Sequence, residues 1–261
     1  MACRFGFIGL GKYGGGLVQG IVNSNYPNKL AIYDINPRVY KQFTDKNKLY
    51  ICQSIAELAG RSDIIILGVP GVDNCNAIVQ EVNQITKSKI AVVFMDNFGL
   101  SAIKKASNVK KARIMFNFPV CVNSGIIGIY RNDLNRRYYS ELYELLLKVG
   151  IVYRLEKEDQ IVAMRVTAGA SIGLMLYFMD SIVEEARAIG LPSAALEKLQ
   201  GNIFKGLSSL FMAGWDSGGI KNKIASPGIS VTNNILKQLN RKHTDRNVRK
   251  AIKDEYEKRR G

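Results

Sequence analysis

The first 156 residues alternate between short apolar runs and longer stretches in which apolar residues recur at helical spacing. The apolar runs predict strands at residues 3–8, 29–33, 63–69, 90–95, 113–116 and 128–131. The stretches after the first four strands predict helices at residues 17–22, 55–59, 72–85 and 101–106. Strands that are apolar at consecutive positions are buried on both faces. The pattern therefore predicts a doubly wound, parallel α/β sheet over residues 1–156.

From residue 157 to 261 the pattern is helical, with no strand signal, and predicts a separate all-α domain. Residues 159–189 form one long helical stretch that Gly190 and Pro192 end, and a second helix follows over residues 193–212. The first of these helices has a wide apolar face, which predicts packing against a second subunit. Packing against the chain's own first domain is the alternative.

Two glycine-containing segments follow in the second half. Gly218-Gly219 predicts a loop, and Ser226-Pro227-Gly228 predicts the start of a further helix with Ser226 as its N-cap. The first turn of a helix presents unpaired N–H groups and the positive end of the helix dipole. This segment is therefore a candidate site for a carboxylate or a phosphate.

Composition and charge narrow the classes of protein that remain. The chain has 261 residues, of which 47% are hydrophobic and 23% charged, and a formal charge of +15. Residues 241–261 hold nine Lys/Arg and four Asp/Glu, and their apolar spacing is typical of a solvated or subunit-contacting helix. A basic arm that binds nucleic acid is the alternative; such a surface usually shows a concentrated basic stripe with aromatic residues among the charges. We expect no nucleic-acid partner and a basic surface that attracts anionic cofactors and substrates.

Cysteine and histidine usage argue against a metal site and a disulfide framework. The four cysteines are widely scattered, and the chain contains one histidine, His243. No signal-peptide pattern opens the sequence, and we predict a cytoplasmic protein. The longest apolar run, residues 166–179, is shorter than the roughly 20 residues that span a bilayer. We expect a buried helix there and no membrane association.

A glycine-rich motif follows the first predicted strand and opens the next helix. Its residues, the candidates for binding a dinucleotide pyrophosphate, are Gly9, Leu10, Gly11, Lys12, Tyr13 and Gly14. Asp34 ends the second strand, 20 residues beyond Gly14, where a carboxylate can accept hydrogen bonds from both ribose hydroxyls. The carboxylate of Asp34 favours NAD because it would repel the 2′-phosphate of NADP. Arg38 could instead bind that phosphate. A simple turn role for Asp34 is the other interpretation. The domain is predicted to be of the Rossmann type.

The shortage of histidine favours one kind of reaction. Reducing a ketone places negative charge on oxygen, and dehydrogenases usually supply a proton there from a histidine or a lysine. His243 lies in the charged tail, where a surface role is expected. A protonated imine already carries the charge that a hydride neutralises, so hydroxyls and positioning can suffice. The sequence therefore favours an imine substrate.

In several segments the chain resembles the pyrroline-5-carboxylate reductases, which reduce a cyclic imino acid with NAD(P)H to complete proline synthesis. The likeness covers nearly the whole chain in four pieces: G-F-I-G-L-G at 6–11, M-F-N-F-P-V-C-V at 115–122, G-L-P at 190–192, and K-I-A-S-P-G-I-S-V-T at 223–232. The resemblance implies a Rossmann domain followed by a helical domain that dimerises by interleaving helices. A ring of such dimers is a further expectation.

The resemblance also implies roles for individual residues. Asn117 and Pro119 would lie near the nicotinamide, and Val69 and Pro70 stand where the family has Val-Lys-Pro at the cofactor. The substrate carboxylate would bind to the segment from Ser226 to Thr232. Thr232, with Ser230 as a possible substitute, would be the catalytic hydroxyl, and the further substrate-binding candidates would be Thr167, Gly169, Ser171, Gly228, Ile229 and Val231.

This chain departs from the family in its substrate half. The family usually has S-P-G-G-x-T-T, and here Ile229 replaces the second glycine and Val231 the first threonine. The family's G-x-S-G-S-G-P-A-Y is replaced by V-T-A-G-A-S-I-G-L at 166–174. We therefore identify a divergent member, a reductase of pyrroline-5-carboxylate or a related cyclic imino acid. The alternatives are a 6-phosphogluconate-dehydrogenase-like oxidoreductase acting on a hydroxy acid or ketone, and a catalytically weak cofactor-binding paralogue.

Overall fold

The computed structural model describes residues 3–86, 90–95, 98–224 and 230–260. These residues form two compact units. The first extends to Ala170, and the second covers Ser171–Lys258. Residues 157–170, which we assigned to the helical domain, lie in the first compact unit.

The first unit is built on one eight-stranded sheet. Its strands are β1 (Phe5–Ile8), β2 (Leu30–Tyr33), β3 (Leu49–Ile51), β4 (Ile64–Leu67), β5 (Ile90–Phe94), β6 (Val109–Phe116), β7 (Gly125–Tyr130) and β8 (Gly150–Leu155). The order across the sheet is β3-β2-β1-β4-β5-β6-β7-β8, and every neighbouring pair is parallel except β6 and β7. The carboxyl ends of β1 to β6 consequently meet at one edge of the sheet.

Helices cover both faces of this sheet. The helices of the first unit are α1 (Lys12–Asn23), α2 (Ile55–Arg61), α3 (Val72–Ile85), α4 (Arg136–Leu147) and the short α5 (Asp159–Met164). One apolar core lies between the sheet and α1 and α4, and a second lies between the sheet and α2 and α3. The predicted doubly wound α/β fold is confirmed.

Several elements differ from the prediction. Residues 101–106 were expected to be a helix, but only a 3-10 turn forms, at Leu100–Ala102. Strand β8 was not predicted, although residues 149–153 are apolar; it is an edge strand on which Ile151 and Tyr153 are exposed. The pairing of β8 with β7 and the packing of α4 supply the stability that local pattern did not indicate.

The second unit is helical throughout its described residues. It contains α6 (Ser171–Ala188), α7 (Ser193–Met212), α8 (Ser217–Ile224), α9 (Val231–Arg241) and α10 (Thr244–Arg260). Gly190 has φ +95° and ends α6 as predicted. The expected loop at Gly218-Gly219 is wrong, because both glycines lie in α8. The carboxylate of Asp216 accepts a hydrogen bond from the N–H of Gly219 at 2.6 Å and so caps a helix that glycine would otherwise disfavour.

A π turn at Arg165–Gly169 joins α5 to α6, so that residues 159–188 are helical without a break. This 30-residue stretch is long and apolar enough to cross a membrane by length and composition, and only 17% of its most apolar window is buried. Its uninterrupted apolar part lies between Arg165 and Asp180. That part spans about 21 Å, which is shorter than the roughly 30 Å hydrocarbon core of a bilayer. The exposed apolar face is of the kind that another protein surface covers.

An ion-pair cluster fastens α4 to the start of β1 and predicts a pH dependence. Glu141 accepts hydrogen bonds from Arg4, which also pairs with Asp63, and from Arg137 at 3.1 Å. Burial alone would raise the pKa of Glu141, but the bonds from both arginines outweigh burial and lower it. A lowered pKa in the folded state stabilises the fold above the unfolded pKa, and this stability is lost as pH falls through the folded value.

We expect Glu141→Gln to reduce the free energy of unfolding by about 1 kcal/mol at pH 7. Thermal unfolding should then occur about 2–4 °C lower. The difference from the unmodified protein should begin to shrink below the ordinary glutamate pKa of about 4.3, where the unfolded chain takes up the proton, and should disappear as the pH falls through the lowered pKa of the folded state. Glu144→Gln, on the exposed side of the same helix, is the control and should leave the midpoint unchanged. An equal effect of Glu141→Gln at pH 7 and at low pH would contradict this interpretation.

Candidate active site

Three glycines bring β1, β4 and α1 into direct backbone contact at the carboxyl edge of the sheet. Gly9 ends β1 with φ +86°, a conformation that L side chains rarely adopt. A Cβ on Gly14 would collide with the carbonyl oxygen of Gly9, and a Cβ on Gly68 would lie 2.6 Å from the same oxygen. The result is a tight turn from β1 into the first turn of α1. It lies between β1 and β4, where the order of the strands in the sheet reverses.

The turn leaves room for a ligand at Gly11. A Cβ on Gly11, the N-cap of α1, would have no heavy atom of the described residues within 4 Å beyond its immediate neighbours. The N-cap of α1 is therefore uncrowded at Gly11, and the first turn of a helix presents unpaired amides and the positive end of the helix dipole, as a pyrophosphate requires. The geometry fits the dinucleotide that the motif predicts.

Two side chains of the motif lie next to aromatic rings. The ammonium of Lys12 is 5.7 Å from the ring centroid of Phe118, and Tyr13 contacts Phe116 edge to face at 6.3 Å. Tyr13 and Phe118 are both about half exposed. Lys12 places a positive charge at the start of α1, on the side where phosphates are expected to bind.

Asp34 follows β2 and is held by backbone donors. Its Oδ2 accepts from the N–H of Leu10 at 2.6 Å and its Oδ1 from the N–H of Asn36 at 2.8 Å. A carboxylate oxygen has more than one acceptor site, so both can still accept from ribose hydroxyls. The backbone N–H of Arg38 donates to the side chain of Asn36, while its own side chain is exposed. The structure thus fixes the carboxylate of Asp34 at the turn and leaves the side chain of Arg38 in solvent.

Tyr40 reinforces the position of Asp34 and was not predicted from the sequence. The N–H of Asp34 donates to the Tyr40 hydroxyl at 2.9 Å, and that hydroxyl donates to the carbonyl of Asp34 at 3.2 Å. Burial raises the pKa of Tyr40, so the phenol remains protonated and able to donate. No sequence motif contains this residue, because it acts through a loop rather than through the glycine turn.

The turn after β4 carries the next two predicted cofactor residues. The carbonyl of Val69 accepts from the thiol of Cys75 at 3.4 Å, and the carbonyl of Pro70 accepts from the Asn74 side chain at 2.9 Å. Gly71 has φ +89° and begins α3. The first turn of α3 therefore fixes Val69 and Pro70 at the same edge as the glycine turn.

Asn117 directly follows β6. The residue is buried, with 5% of its surface exposed. Its Oδ1 accepts from the N–H of Ile126 at 2.8 Å, and its Nδ2 donates to the carbonyl of Ala168 at 3.4 Å. Pro119 follows in a 3-10 turn, where its carbonyl accepts from the N–H of Ser124 at 3.0 Å. In this structure the amide of Asn117 joins β6 to β7 and to the π turn.

The π turn lies over the carboxyl ends of β5 and β6. Arg165 donates from Nη2 to the carbonyl of Met95 at 3.3 Å, and a Cβ on Gly169 would be 3.0 Å from the methyl of Met115. The hydroxyl of Thr167 donates to the carbonyl of Ala163 at 2.7 Å within its own helix. Widened helical turns of this kind often occur at functional sites. Thr167 and Gly169 lie in this π turn, which belongs to the first unit. Ser171 is the first residue of the second unit.

The buried Arg113 also stabilises this edge. It pairs with Glu158 at 3.0 Å, and the same carboxylate oxygen accepts from the N–H of Leu100 at 2.7 Å. The pair thereby fastens the segment after β5 to the start of α5. The signal in the sequence was a charged residue at the start of the apolar run 113–116, and the sequence did not show its partner.

The late candidate segment is only partly described. Ser226, Gly228 and Ile229 lie outside the described residues. The helix that contains Thr232 begins at Val231, and its N-cap is Ser230, whose hydroxyl accepts from the N–H of Asn233 at 3.3 Å. The expectation that Ser226 caps this helix is therefore corrected.

The hydroxyl of Ser230 also donates to the carbonyl of Ile224 at 3.2 Å. Val231 is 71% exposed, and Thr232 is partly buried. Capping thus occupies the hydroxyl of Ser230. Thr232 follows it in the first turn of α9.

Each half of the chain matches a family model of a known protein domain. Residues 4–127 match the family model of the NAD binding domain of 6-phosphogluconate dehydrogenase, and residues 158–261 match that of pyrroline-5-carboxylate reductase dimerisation. The pyrroline-5-carboxylate reductase of Corynebacterium melassecola is 20% identical over 228 residues, which is 84% of each chain. That of Methanosarcina acetivorans is 26% identical over 130 residues, 48% of each.

Solved structures share the fold over nearly the full length. Plasmodium falciparum pyrroline carboxylate reductase, solved with NADP bound, has a TM-score of 0.83 at 22% identity, with 99% of this chain and 97% of that chain covered. The pyrroline-5-carboxylate reductase of Coxiella burnetii has a TM-score of 0.84 at 20% identity, with 99% and 98% covered.

The fold and the glycine turn define the class of protein: an NAD(P)-dependent oxidoreductase with a Rossmann domain followed by an all-α domain. Within that class, the second half of the chain matches the dimerisation domain of pyrroline-5-carboxylate reductases. Over most of its length the chain is similar to these enzymes, at low sequence identity.

The geometry at Asp34 predicts a preference for NADH over NADPH. The fixed carboxylate can accept from ribose hydroxyls but repels a 2′-phosphate. We expect Asp34→Ser to lower the ratio of NADH affinity to NADPH affinity by about tenfold or more, as measured by calorimetric titration of both. Asp45→Ser is the matched control, because Asp45 also accepts a backbone N–H, from Asn47 at 3.0 Å, but in a different turn. Tighter binding of NADPH by the unmodified protein would contradict the prediction.

Proposed function

We propose that this protein reduces pyrroline-5-carboxylate, or a closely related cyclic imino acid, with NAD(P)H. The observation that carries the proposal is the combination of an open dinucleotide turn at Gly9–Gly14 with a second half that matches the dimerisation domain of this family. The relatives named above bear the same activity in their names. Their agreement over both halves of the chain supports this reaction above others of the same fold.

The chemistry that we propose asks little of the protein beyond positioning. The bound dinucleotide supplies the hydride. The chain would hold the pyrophosphate at the amides of α1 and the ribose at Asp34, and it would bind the substrate carboxylate through the segment from Ser226 to Thr232. A protonated imine needs no strong acid, so the hydroxyl of Thr232 is sufficient to orient it. The contribution that we propose for Ser230 is to cap α9 and so fix Thr232.

We also propose that the protein is a cytoplasmic homodimer, with a ring of dimers as the larger assembly. Apolar side chains stay exposed on α6 and α7 within the second unit. They include Met175 at 54%, Tyr177 at 69% and Met212 at 86%. Exposed apolar surface on this scale supports a protein interface, and the family model over these residues describes dimerisation. Neither a membrane nor a nucleic acid is needed as a partner.

A hydroxy acid or ketone substrate is the second candidate function. The family model matched by residues 4–127 is that of a 6-phosphogluconate dehydrogenase domain. A Mycobacterium tuberculosis 3-hydroxyisobutyrate dehydrogenase shares the fold with a TM-score of 0.52 at 10% identity. A third candidate, a weak cofactor-binding paralogue, is motivated by Ile229 and Val231. These readings predict different substrates or no turnover, so one assay separates them.

The direct test is oxidation of NADH or NADPH followed by absorbance. We expect the rate to depend on added pyrroline-5-carboxylate and Gly228→Asp to abolish it, because the new carboxylate would repel that of the substrate. Oxidation of hydroxy acids with NAD⁺ and no reaction with cyclic imines would favour the second candidate. Tight cofactor binding without any turnover would favour the third.

Two further variants test the hydroxyl at the start of α9, as part of the same assay. Thr232→Val should lower kcat/KM for the imino acid by roughly ten- to a hundredfold, because a polar group of the bound substrate loses its partner. Val231→Thr is the matched change in the opposite direction. It adds a hydroxyl where the family has one and should raise kcat/KM for the imino acid. An unchanged rate in Thr232→Val would remove this residue from the proposed site.

The apolar face of the second unit predicts how the dimer can be broken. Tyr177→Asp introduces a charge into that face and should shift the protein from dimer to monomer in sedimentation velocity. Tyr153→Asp is the control, since Tyr153 is an exposed aromatic residue at 51% on strand β8 of the first unit. A monomeric unmodified protein, or a variant that remains dimeric, would contradict the assignment of this face.

A further inference from the structure

The backbone of Leu10, in the glycine turn, is held on both sides by side chains of a neighbouring loop, through its N–H in one peptide unit and its carbonyl in the next. The N–H of Leu10 donates to Asp34 Oδ2 at 2.6 Å, and the carbonyl of Leu10 accepts from Gln42 Nε2 at 2.9 Å. The side chain of Leu10 is fully buried in the core beneath the turn. The backbone of this residue therefore has little freedom to rotate.

Fixing the Leu10 carbonyl also fixes the next donor along the chain. The peptide unit is planar and trans, so the carbonyl of Leu10 and the N–H of Gly11 point in opposite directions. The hydrogen bond to Gln42 consequently directs the N–H of Gly11 away from Gln42. Gly11 is the N-cap of α1 and borders the open space where a pyrophosphate fits.

Gln42 is itself fitted closely to the first turn of α1. A Cβ on Gly15 would overlap the side-chain amide of Gln42, so the glycine at this position gives Gln42 room to reach the turn. Nε2 of Gln42 also donates to the carbonyl of Val39 at 2.8 Å, which engages both protons of the amide. The next residue, Phe43, is buried and fastens the loop to the core.

The same loop carries the ribose-binding candidate. Asp34 precedes the 3-10 turn Pro37–Gln42 and Gln42 is its last residue, and each holds one side of the Leu10 backbone. We propose that Gln42 is a positioning residue of the dinucleotide site, which acts through the peptide of Leu10 to orient the pyrophosphate-binding N–H of Gly11. This inference requires that the protein bind a dinucleotide, and it does not depend on which imino acid is reduced.

Gln42→Met tests the proposal, because it preserves side-chain length and removes both donors. We expect the Kd for ADP-ribose and for NADH, measured by calorimetric titration, to rise about tenfold. In steady-state assays the KM for NADH should rise by a similar factor while kcat and the KM for the imino acid stay constant. Gln19→Met is the matched control on α1, since Gln19 bonds to Asn23 and Thr44 and not to the turn.

A double-mutant cycle tests the same contact independently. Gly15→Ala should displace Gln42 and weaken ADP-ribose binding about as much as Gln42→Ala does. Once Gln42 is truncated, the added methyl has nothing to displace, so the double variant should bind no more weakly than Gln42→Ala alone. Additive losses of affinity would contradict the proposal.

The outcomes separate a positioning role from a structural one. If Gln42→Met lowered the unfolding temperature but left the Kd for ADP-ribose unchanged, Gln42 would be a structural residue and the proposal would be overturned. If the unmodified protein bound ADP-ribose but reduced no imino acid, the proposed reaction would fail while the result for Gln42 would stand. Loss of ADP-ribose binding in Gln19→Met as well would also count against the proposal.

Discussion

The close approach of three backbone segments at Gly9, Gly14 and Gly68 is the constraint on which the first domain depends. These residues bring the end of β1, the start of α1 and the end of β4 together without side chains between them. Any Cβ at Gly14 would push α1 away from β1, and with it the amides that face the open space at Gly11. The packing of Leu17, Val18 and Ile21 beneath α1 follows from that approach, because it sets the height of the helix above the sheet.

Sequence reasoning reached this part of the molecule because its signals are local. The glycine spacing, the apolar strands and the acidic residue after β2 all lie within short segments of the chain. Helix α3 and helix α7 were predicted with their observed bounds for the same reason, since apolar periodicity and terminal signals mark them. The doubly wound topology then follows from the alternation of strand and helix.

Some of the features that were missed depend on contacts between distant segments, and others on local capping. Gln42 reaches Leu10 across 32 positions, and the amide of Asn117 reaches Ala168 across 51. Neither partner can be named from spacing. The helix at Ser217–Ile224 was missed because one carboxylate, that of Asp216, offsets the cost of two glycines. The cap of α9 was placed at Ser226 because Ser-Pro-Gly is a strong local signal, whereas Ser230 provides it in the structure.

Cofactor binding and substrate choice depend on the sequence in different ways. The dinucleotide turn is made from backbone groups, glycines and two side chains that hold the backbone of Leu10, so most surrounding residues can change without moving it. The fold as a whole also tolerates wide sequence change, since the chain is 22% identical to a solved relative and shares its fold with a TM-score of 0.83. A substrate carboxylate and ring, in contrast, would meet a few side chains at the start of one helix. If the substrate binds there as we propose, Ile229 and Val231, in place of the glycine and threonine usual in these reductases, change the volume and polarity that it meets. We therefore expect divergence within this family to change the ring that is accepted before it changes the cofactor.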